Sequence, residues 1–273
     1  MKGRIVKQIS NDYTVKADKL YVCKARGKFR NLNVVPLVGD EVLFSEDNYI
    51  LDILPRKNKL YRPSISNIDE AIIITSLKEP DFSTVLLDKL LTIIEFNSIK
   101  PVIVFTKGDL LSPSEYDYLK KFIDYYKNLY DVYMNTEIDK IKKIFKGKVC
   151  VFTGQTGAGK STLLNKINSN FNLKTGEISL ALGRGKHTTR HTELLEVEGG
   201  LVADTPGFSA LDFGDMTTSD IRDNFKEFNF YRDECKFRDC MHVSEKKCMV
   251  RDKVLDGTIL KSRYDNYLKF IGR

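Results

Sequence analysis

The chain has 273 residues, enough for two or three small domains, and its 42% hydrophobic and 30% charged content is that of a folded soluble protein. No apolar run approaches the ~20 residues a membrane span needs. The opening Met1-Lys2-Gly3-Arg4-Ile5-Val6 carries no apolar signal core. A cytoplasmic chain with no membrane partner is therefore expected. A net charge of +7 with a pI near 9.0 fits a polyanionic partner such as RNA, and equally a Lys-rich composition without one.

Residues 1 to about 62 read as short β-runs, among them 3–7, 13–16, 20–23 and 41–44. They are separated by the turn signals Asn11-Asp12, Arg26-Gly27 and Val38-Gly39-Asp40. Such runs without helical period predict a small β-barrel. Tyr13, Tyr21, Lys24, Arg26, Lys28, Phe29 and Arg30 interleave rings with cations, as an oligonucleotide-binding surface does; an ordinary barrel with a solvated Lys face remains the alternative.

A basic connector, Arg56 to Pro63, leads into the apolar run 70–75, which has the pattern of a buried parallel strand. A helix follows over about 83–97, with Ser83 as N-cap and Leu86, Leu87, Leu90, Leu91, Ile94 and Phe96 on its apolar face. Strand 102–105, helix 113–128 with Pro113 at its start, weak strand 132–134, strand 149–153, helix 160–169 and strand 201–203 complete the pattern. Alternating strands and helices predict a parallel sheet with helices on both faces, and ligands bind such sheets at the carboxyl ends of strands. Cys23 and Cys150 stand alone among apolar residues and read as buried spectators.

Three motifs sit at such ends. Gly154-Gln155-Thr156-Gly157-Ala158-Gly159-Lys160-Ser161-Thr162 is a phosphate-binding loop: glycines let backbone N–H groups curl round phosphate oxygens, Lys160 reaches the β- and γ-phosphates, and Ser161 ligates magnesium. This loop does not distinguish ATP from GTP. Thr106-Lys107-Gly108-Asp109 does, because a carboxylate at Asp109 accepts from guanine N1–H and the N2 amine while adenine mismatches it. Lys107 would lie along the ring, and Thr106 keeps a hydroxyl where Asn is more usual. Asp204-Thr205-Pro206-Gly207 lies 44 residues after Lys160; Asp204 would hold magnesium through a water and the Gly207 N–H the γ-phosphate. In ordinary GTPases the guanine reader follows the other two motifs. Here it precedes them, so the chain reads as circularly permuted.

Phe208 occupies the position where many GTPases carry a water-orienting Gln, so either hydrolysis is slow or another group supplies that function. Between loop and switch lies Gly183-Arg184-Gly185-Lys186-His187-Thr188-Thr189-Arg190. Thr188 or Thr189 can cap magnesium. His187 can position or deprotonate water near neutral pH; contact with RNA and local packing are its other readings. Cys235, Cys240, His242 and Cys248 supply three thiolates and an imidazole in one short segment, the donor set of a closed, structural zinc site.

Together these residues resemble the RsgA-type small ribosomal subunit-dependent GTPases. The resemblance also covers Val38-Gly39-Asp40, Arg56-Lys57-Asn58, Arg62-Pro63, Asn67-Ile68-Asp69 and the Cys235-to-His242 segment. It implies an oligonucleotide-binding barrel over 1–63, a circularly permuted GTPase core over 64–212 and a zinc-binding helical domain over 213–273. It further implies GTP/GDP, magnesium and one structural zinc, and hydrolysis stimulated by the 30S subunit, on whose 16S rRNA a monomer would dock late in maturation. His187 is the histidine the family is thought to use. The family's Ser-Ala-type motif behind the guanine is replaced near residues 134–137 by Met134-Asn135-Thr136-Glu137, with Asn135 or Thr136 as substitute. Two readings compete: an RNA-binding adaptor using nucleotide only as a conformational lock, and a P-loop ATPase or small-molecule kinase in which Asp109 is incidental.

Overall fold

The computed structural model describes residues 1–27, 29, 34–61, 64–168, 193–204 and 212–273. Five strands open the chain: β1 (Lys2–Ile9), β2 (Asp12–Lys16), β3 (Leu20–Ala25), β4 (Glu41–Phe44) and β5 (Tyr49–Ile53). Their order is β1-β2-β3-β5-β4, and a β1–β4 pairing closes the ring. A bulge between Ile5 and Lys7 bends β1 so that it serves both β2 and β4. Alternation turns Ile5, Tyr13, Val15, Cys23, Val42, Phe44 and Ile50 inward, where they are buried. The basic connector is not plain coil: β6 (Lys59–Tyr61) and β7 (Ser64–Ser66) pair as an antiparallel hairpin.

Next come β8 (Glu70–Ser76), buried throughout, and α1 (Thr84–Phe96), whose N-cap Ser83 accepts from the Leu86 N–H. β9 (Lys100–Thr106), α2 (Pro113–Lys127) and β10 (Asp131–Met134) follow; Ser112 and Glu115 form a capping box on α2. A short helix that the sequence reading passed over, α3 (Ile138–Phe145), buries Ile141, Ile144 and Phe145. β11 (Val149–Gly154) and α4 (Lys160–Ile167) flank the phosphate loop. β12 (Glu193–Val197), also unforeseen, pairs antiparallel with β13 (Gly200–Asp204), and β13 runs parallel to β11. The C-terminal stretch holds α5 (Thr218–Asp223), α6 (Met249–Leu255) and α7 (Lys261–Phe270). No helix among the described residues is long and apolar enough to cross a membrane.

The described residues of 1–72, 135–153 and 159–210 form one compact unit, and those of 73–134, 154–158 and 211–273 the other. In the first, the barrel's β1 pairs with β12 at Lys7 and Glu193. In the second, β9 lies between β8 and β10, and α1 buries Leu87, Leu90, Leu91, Ile93 and Ile94. Each of those side chains contributes roughly 2 kcal/mol by leaving water.

Also in the second unit, Asp88 lies fully buried on the same α1 face. It accepts from Tyr126 Oη at 2.5 Å, Arg263 Nη1 at 2.8 Å and Asn266 Nδ2 at 2.6 Å. The Arg263 guanidinium, itself fully buried, also grips Glu227 through Nε at 2.6 Å and Nη2 at 2.7 Å. This ionic trio ties α7 to α1, and Tyr126 joins α2 to it.

Candidate functional site

The three strands that carry motifs end on them: β9 at Thr106, β11 at Gly154 and β13 at Asp204. In the phosphate loop Gly154, Gly157 and Gly159 adopt φ of +126°, +78° and +90°, which L side chains rarely reach. Gly154 has a second reason to be glycine, since a Cβ there would lie 1.9 Å from the Ile74 carbonyl oxygen. Ala158 N–H donates to Gln155 O at 3.2 Å, closing the loop just before α4 begins at Lys160. The amides at that helix start, with the dipole behind them, favour an anion. Burial pushes the Lys160 amine below its ordinary value, a penalty that a phosphate beside it would offset. Ser161 is buried on the first turn.

The guanine-reading motif is braced against this loop. Thr106 Oγ1 donates to Ala158 O at 2.6 Å, and its carbonyl accepts from Leu77 N–H at 3.0 Å. Lys107 stands at φ +58°, a strained position for a side chain of its size and one typical of functional turns. Its ammonium donates to the Glu79 carbonyl. Asp109 is exposed in the turn Gly108–Leu110, open to a ligand. A Cβ on Gly108 would meet Met134 Cε at 3.3 Å and Leu77 Cδ1 at 3.7 Å, and one on Gly157 would meet Pro80 Cδ at 3.6 Å.

The segment Ser76 to Pro80 is thus a wall of the site that sequence reasoning missed. Its signal was position alone, directly after a buried strand. It is pinned to α2 by Lys78, whose Nζ lies 3.0 Å from both Glu115 oxygens. Thr106→Val keeps shape but strands the buried Ala158 carbonyl. GDP and GTP affinity should fall about five- to tenfold, from ~1–1.5 kcal/mol; unchanged mant-GDP binding would remove the brace from the site.

Asp204 is placed by its backbone, opposite Glu193 in the β12–β13 pair. His187, Thr188, Thr189, Gly207 and Phe208 lie outside the described residues.

Cys235, Cys240, His242 and Cys248 are brought together, with their ligand atoms all within 4.8 Å of one another. Cys235 Sγ lies 3.9 Å from Cys248 Sγ and 3.7 Å from His242 Nδ1, and His242 Nδ1 lies 3.3 Å from Cys248 Sγ. Zinc bonds of ~2.3 Å to sulfur and ~2.0 Å to nitrogen require tetrahedral edges of about 3.8 Å and 3.5 Å. The donor set therefore fits zinc.

Burial, reinforced by Arg222, pushes His242 down to about 4, so the imidazole is the neutral form a ligand must be. Burial pushes the Cys248 thiol up to about 12, a bias toward the thiol that a divalent cation reverses. The knuckle is held in place: Tyr264 Oη donates to His242 O at 2.6 Å and Tyr267 Oη to Met241 O at 2.5 Å. The Glu245 carboxylate gathers the N–H groups of Met241, Val243 and Ser244.

The expected stacking rings of the barrel are a correction. Strand alternation buries Tyr13 and sets the Tyr21 ring 5.0 Å from that of Phe44, and Phe29, beyond the end of β3, is buried as well. The outward positions of β3 are Leu20, Val22 and Lys24. The charge does concentrate here: residues 1–63 hold thirteen Lys and Arg against seven Asp and Glu, so +6 of the net +7.

A family model described as RsgA GTPase matches residues 53–214, and one described as RsgA N-terminal domain matches 2–50. The small ribosomal subunit biogenesis GTPase RsgA of Halalkalibacterium halodurans is 47% identical over 281 residues, covering 99% of this chain and 96% of that one. Its Enterococcus faecalis counterpart is 47% identical over 280 residues, covering 99% and 94%. Two crystal structures are similar over nearly the whole chain. YloQ, a circularly permuted GTPase, has a TM-score of 0.83 and 37% identity, covering 99% of this chain and 93% of that one. YjeQ from Thermotoga maritima has a TM-score of 0.86 and 35% identity, covering 100% and 99%.

Proposed function

The chain belongs to the RsgA GTPase family, a circularly permuted GTPase with an N-terminal five-stranded barrel, and from that premise we propose that it couples GTP hydrolysis to late maturation of, or factor release from, the small ribosomal subunit. The observation that carries this is the motif order, with the guanine reader upstream and each motif at the carboxyl end of its strand. Full-length similarity to proteins named for small-subunit biogenesis supports the partner.

In this reading the regions are a barrel over 1–63, a GTPase core over 64–212 and a zinc-binding unit over 213–273. Asp109 selects guanine and Lys107 covers its ring. The Gly154–Gly159 backbone and Lys160 hold the phosphates, and the Gly207 N–H meets the γ-phosphate. Magnesium, when bound, neutralises phosphate charge; Ser161, with Asp204 and Thr189 directly or through water, would hold it. His187 orients or deprotonates the attacking water, the role Phe208 cannot fill. The basic barrel meets 16S rRNA by backbone electrostatics, and a cytoplasmic monomer suffices.

The test is GTP turnover titrated with purified 30S subunits. Turnover should rise to saturation with GTP and not with ATP. Indifference to subunits, or equal use of ATP, overturns the reading; single-turnover assays without stimulated cleavage would favour the nucleotide-locked adaptor. His187→Ala should cut stimulated turnover by roughly 100-fold or more while sparing nucleotide affinity.

A further inference from the structure

Three sequence motifs have no part in nucleotide chemistry: Val38-Gly39-Asp40, Arg56-Lys57-Asn58 and Asn67-Ile68-Asp69. In the fold they build one polar frame around β1. Gly39 N–H donates to Ile5 O at 2.8 Å and Ile5 N–H to Asp40 O at 2.9 Å. The fully buried Asp40 carboxylate accepts from Arg56 Nε and Nη2, each at 2.7 Å, from Ser66 Oγ at 2.6 Å and from Leu37 N–H at 2.7 Å. Asn67 bridges Gly39 O at 3.1 Å and Lys57 N–H at 2.9 Å.

Gly39 permits this closeness: at φ +96°, a Cβ would lie 2.1 Å from Ser66 O. The frame continues to Asp69, whose N–H meets Val149 O at 2.8 Å and whose Oδ2 accepts from Val149 N–H at 2.7 Å. Val149 is the first residue of β11, the strand that delivers the phosphate loop. A carboxylate with four hydrogen bonds makes a stiff joint, and the frame links β1 to the base of β11.

On its other flank β1 bears on the switch hairpin. Lys7 pairs with Glu193, its Nζ 2.8 Å from Glu193 Oε2, with both side chains about one-third exposed at 33% and 35%. Lys16 of β2 forms a second ion pair, to Glu196. Glu193 and Glu196 are both on β12. Glu193 lies opposite Asp204 in the hairpin and follows Thr189 by four residues in the chain. The barrel therefore holds, by two cations, the strand whose neighbour ends on the switch aspartate.

We propose that β1 is the element through which docking of the barrel acts on the switch, with Lys7 and Lys16 as positioning residues that grip Glu193 and Glu196. This rests on the subunit-stimulated GTPase reading. Exposed ion pairs contribute little to stability. Their effect here is on coupling: barrel and hairpin share strand pairing at Lys7 and Glu193, and a coupling of ~1 kcal/mol already changes stimulation about fivefold.

The experiment is a charge swap. Lys7→Glu and Glu193→Lys should each reduce the fold-stimulation by 30S about fivefold or more. Subunit-free turnover, GDP affinity and melting temperature should stay within about twofold or a few degrees of wild type. The double variant Lys7→Glu/Glu193→Lys should recover at least half of the stimulation, although it still lacks the lysine as an RNA contact. Single variants stimulated like wild type, or a double variant as poor as Lys7→Glu alone, would overturn the proposal. A wild-type chain that 30S fails to stimulate removes the functional reading, and this proposal with it.

Discussion

Arg263→Met is expected to cost about 3–5 kcal/mol of stability and to lower the melting temperature by roughly 10–15 °C. Arg263 is fully buried between Asp88 on α1 and Glu227, with its guanidinium carbon 4.5 Å from the Phe225 ring centroid. Methionine fills much of the volume but leaves two buried carboxylates without a counter-charge. Arg263→Lys should fall between the two, because a point charge cannot reproduce the forked bonds to Glu227 and the bond to Asp88. Burial alone would push Glu227 up; the Arg263 ion pair outweighs it and holds the carboxyl below the usual range. Such a group stabilises fully above its unfolded value near 4.5 and loses that contribution only as pH falls through its lower folded value. The deficit of Arg263→Met should thus be complete at pH 7 and narrow on acidification. A variant that melts like wild type at pH 7 would show that the trio is not what holds α7.

Removing zinc is expected to have the second large effect. Purified protein should carry one zinc per chain, and Cys248→Ser should lose it. Chelation should lower the first melting transition, beginning in the C-terminal stretch, because structural zinc contributes of order 10 kcal/mol in small zinc modules. The core it organises is small: Ile221, Phe225, Phe228, Val250, Ile259 and Tyr267 pack beside the ligands. The effect should also overlap with that of Arg263→Met. Tyr264 and Tyr267, which hold the zinc knuckle, lie on α7 beside Arg263, so metal loss loosens the helix that the trio secures. Chelation of the Arg263→Met variant should therefore cost less than the sum of the two changes. Melting curves indifferent to chelator, or full zinc retention in Cys248→Ser, would rule the metal site out.

How much was legible followed from the range of each interaction. The buried strands at 70–75, 102–105 and 149–153, the Ser83 cap and the Pro113 helix start rest on local chemistry, and they stand where expected with small boundary shifts. α3 was missed although Ile138, Ile141 and Phe145 recur at helical spacing, because lysines interrupt the run. β12 was missed because Glu193 and Glu196 break its apolar pattern; those glutamates face barrel lysines. The stacking rings failed for a period-two reason. Tyr13 and Tyr21 share the inward face of their strands, so Tyr13 is buried and the Tyr21 ring packs on Phe44, with the Lys19 ammonium 5.2 Å from its centroid. Asp88 carried a detectable signal, an acid at i, i+3 from Leu91 on an apolar helix face, but its partner Arg263 is 175 residues away.

The sequence by itself determined the chemistry that contiguous residues perform: a glycine-rich loop for phosphate, a carboxylate for guanine, a thiolate–imidazole set for zinc, and the order that marks the permutation. The first three depend on backbone conformation and spacing within at most 14 residues, and the last on the order of the motifs along the chain. Only the tertiary structure decided what those parts rest on. The Asp40–Ser66, Thr106–Ala158 and Asp88–Arg263 bonds join residues 26, 52 and 175 positions apart. Burial in a common core, not proximity in the chain, selects such partners, because a buried charge or hydroxyl must be satisfied by whatever the fold brings beside it.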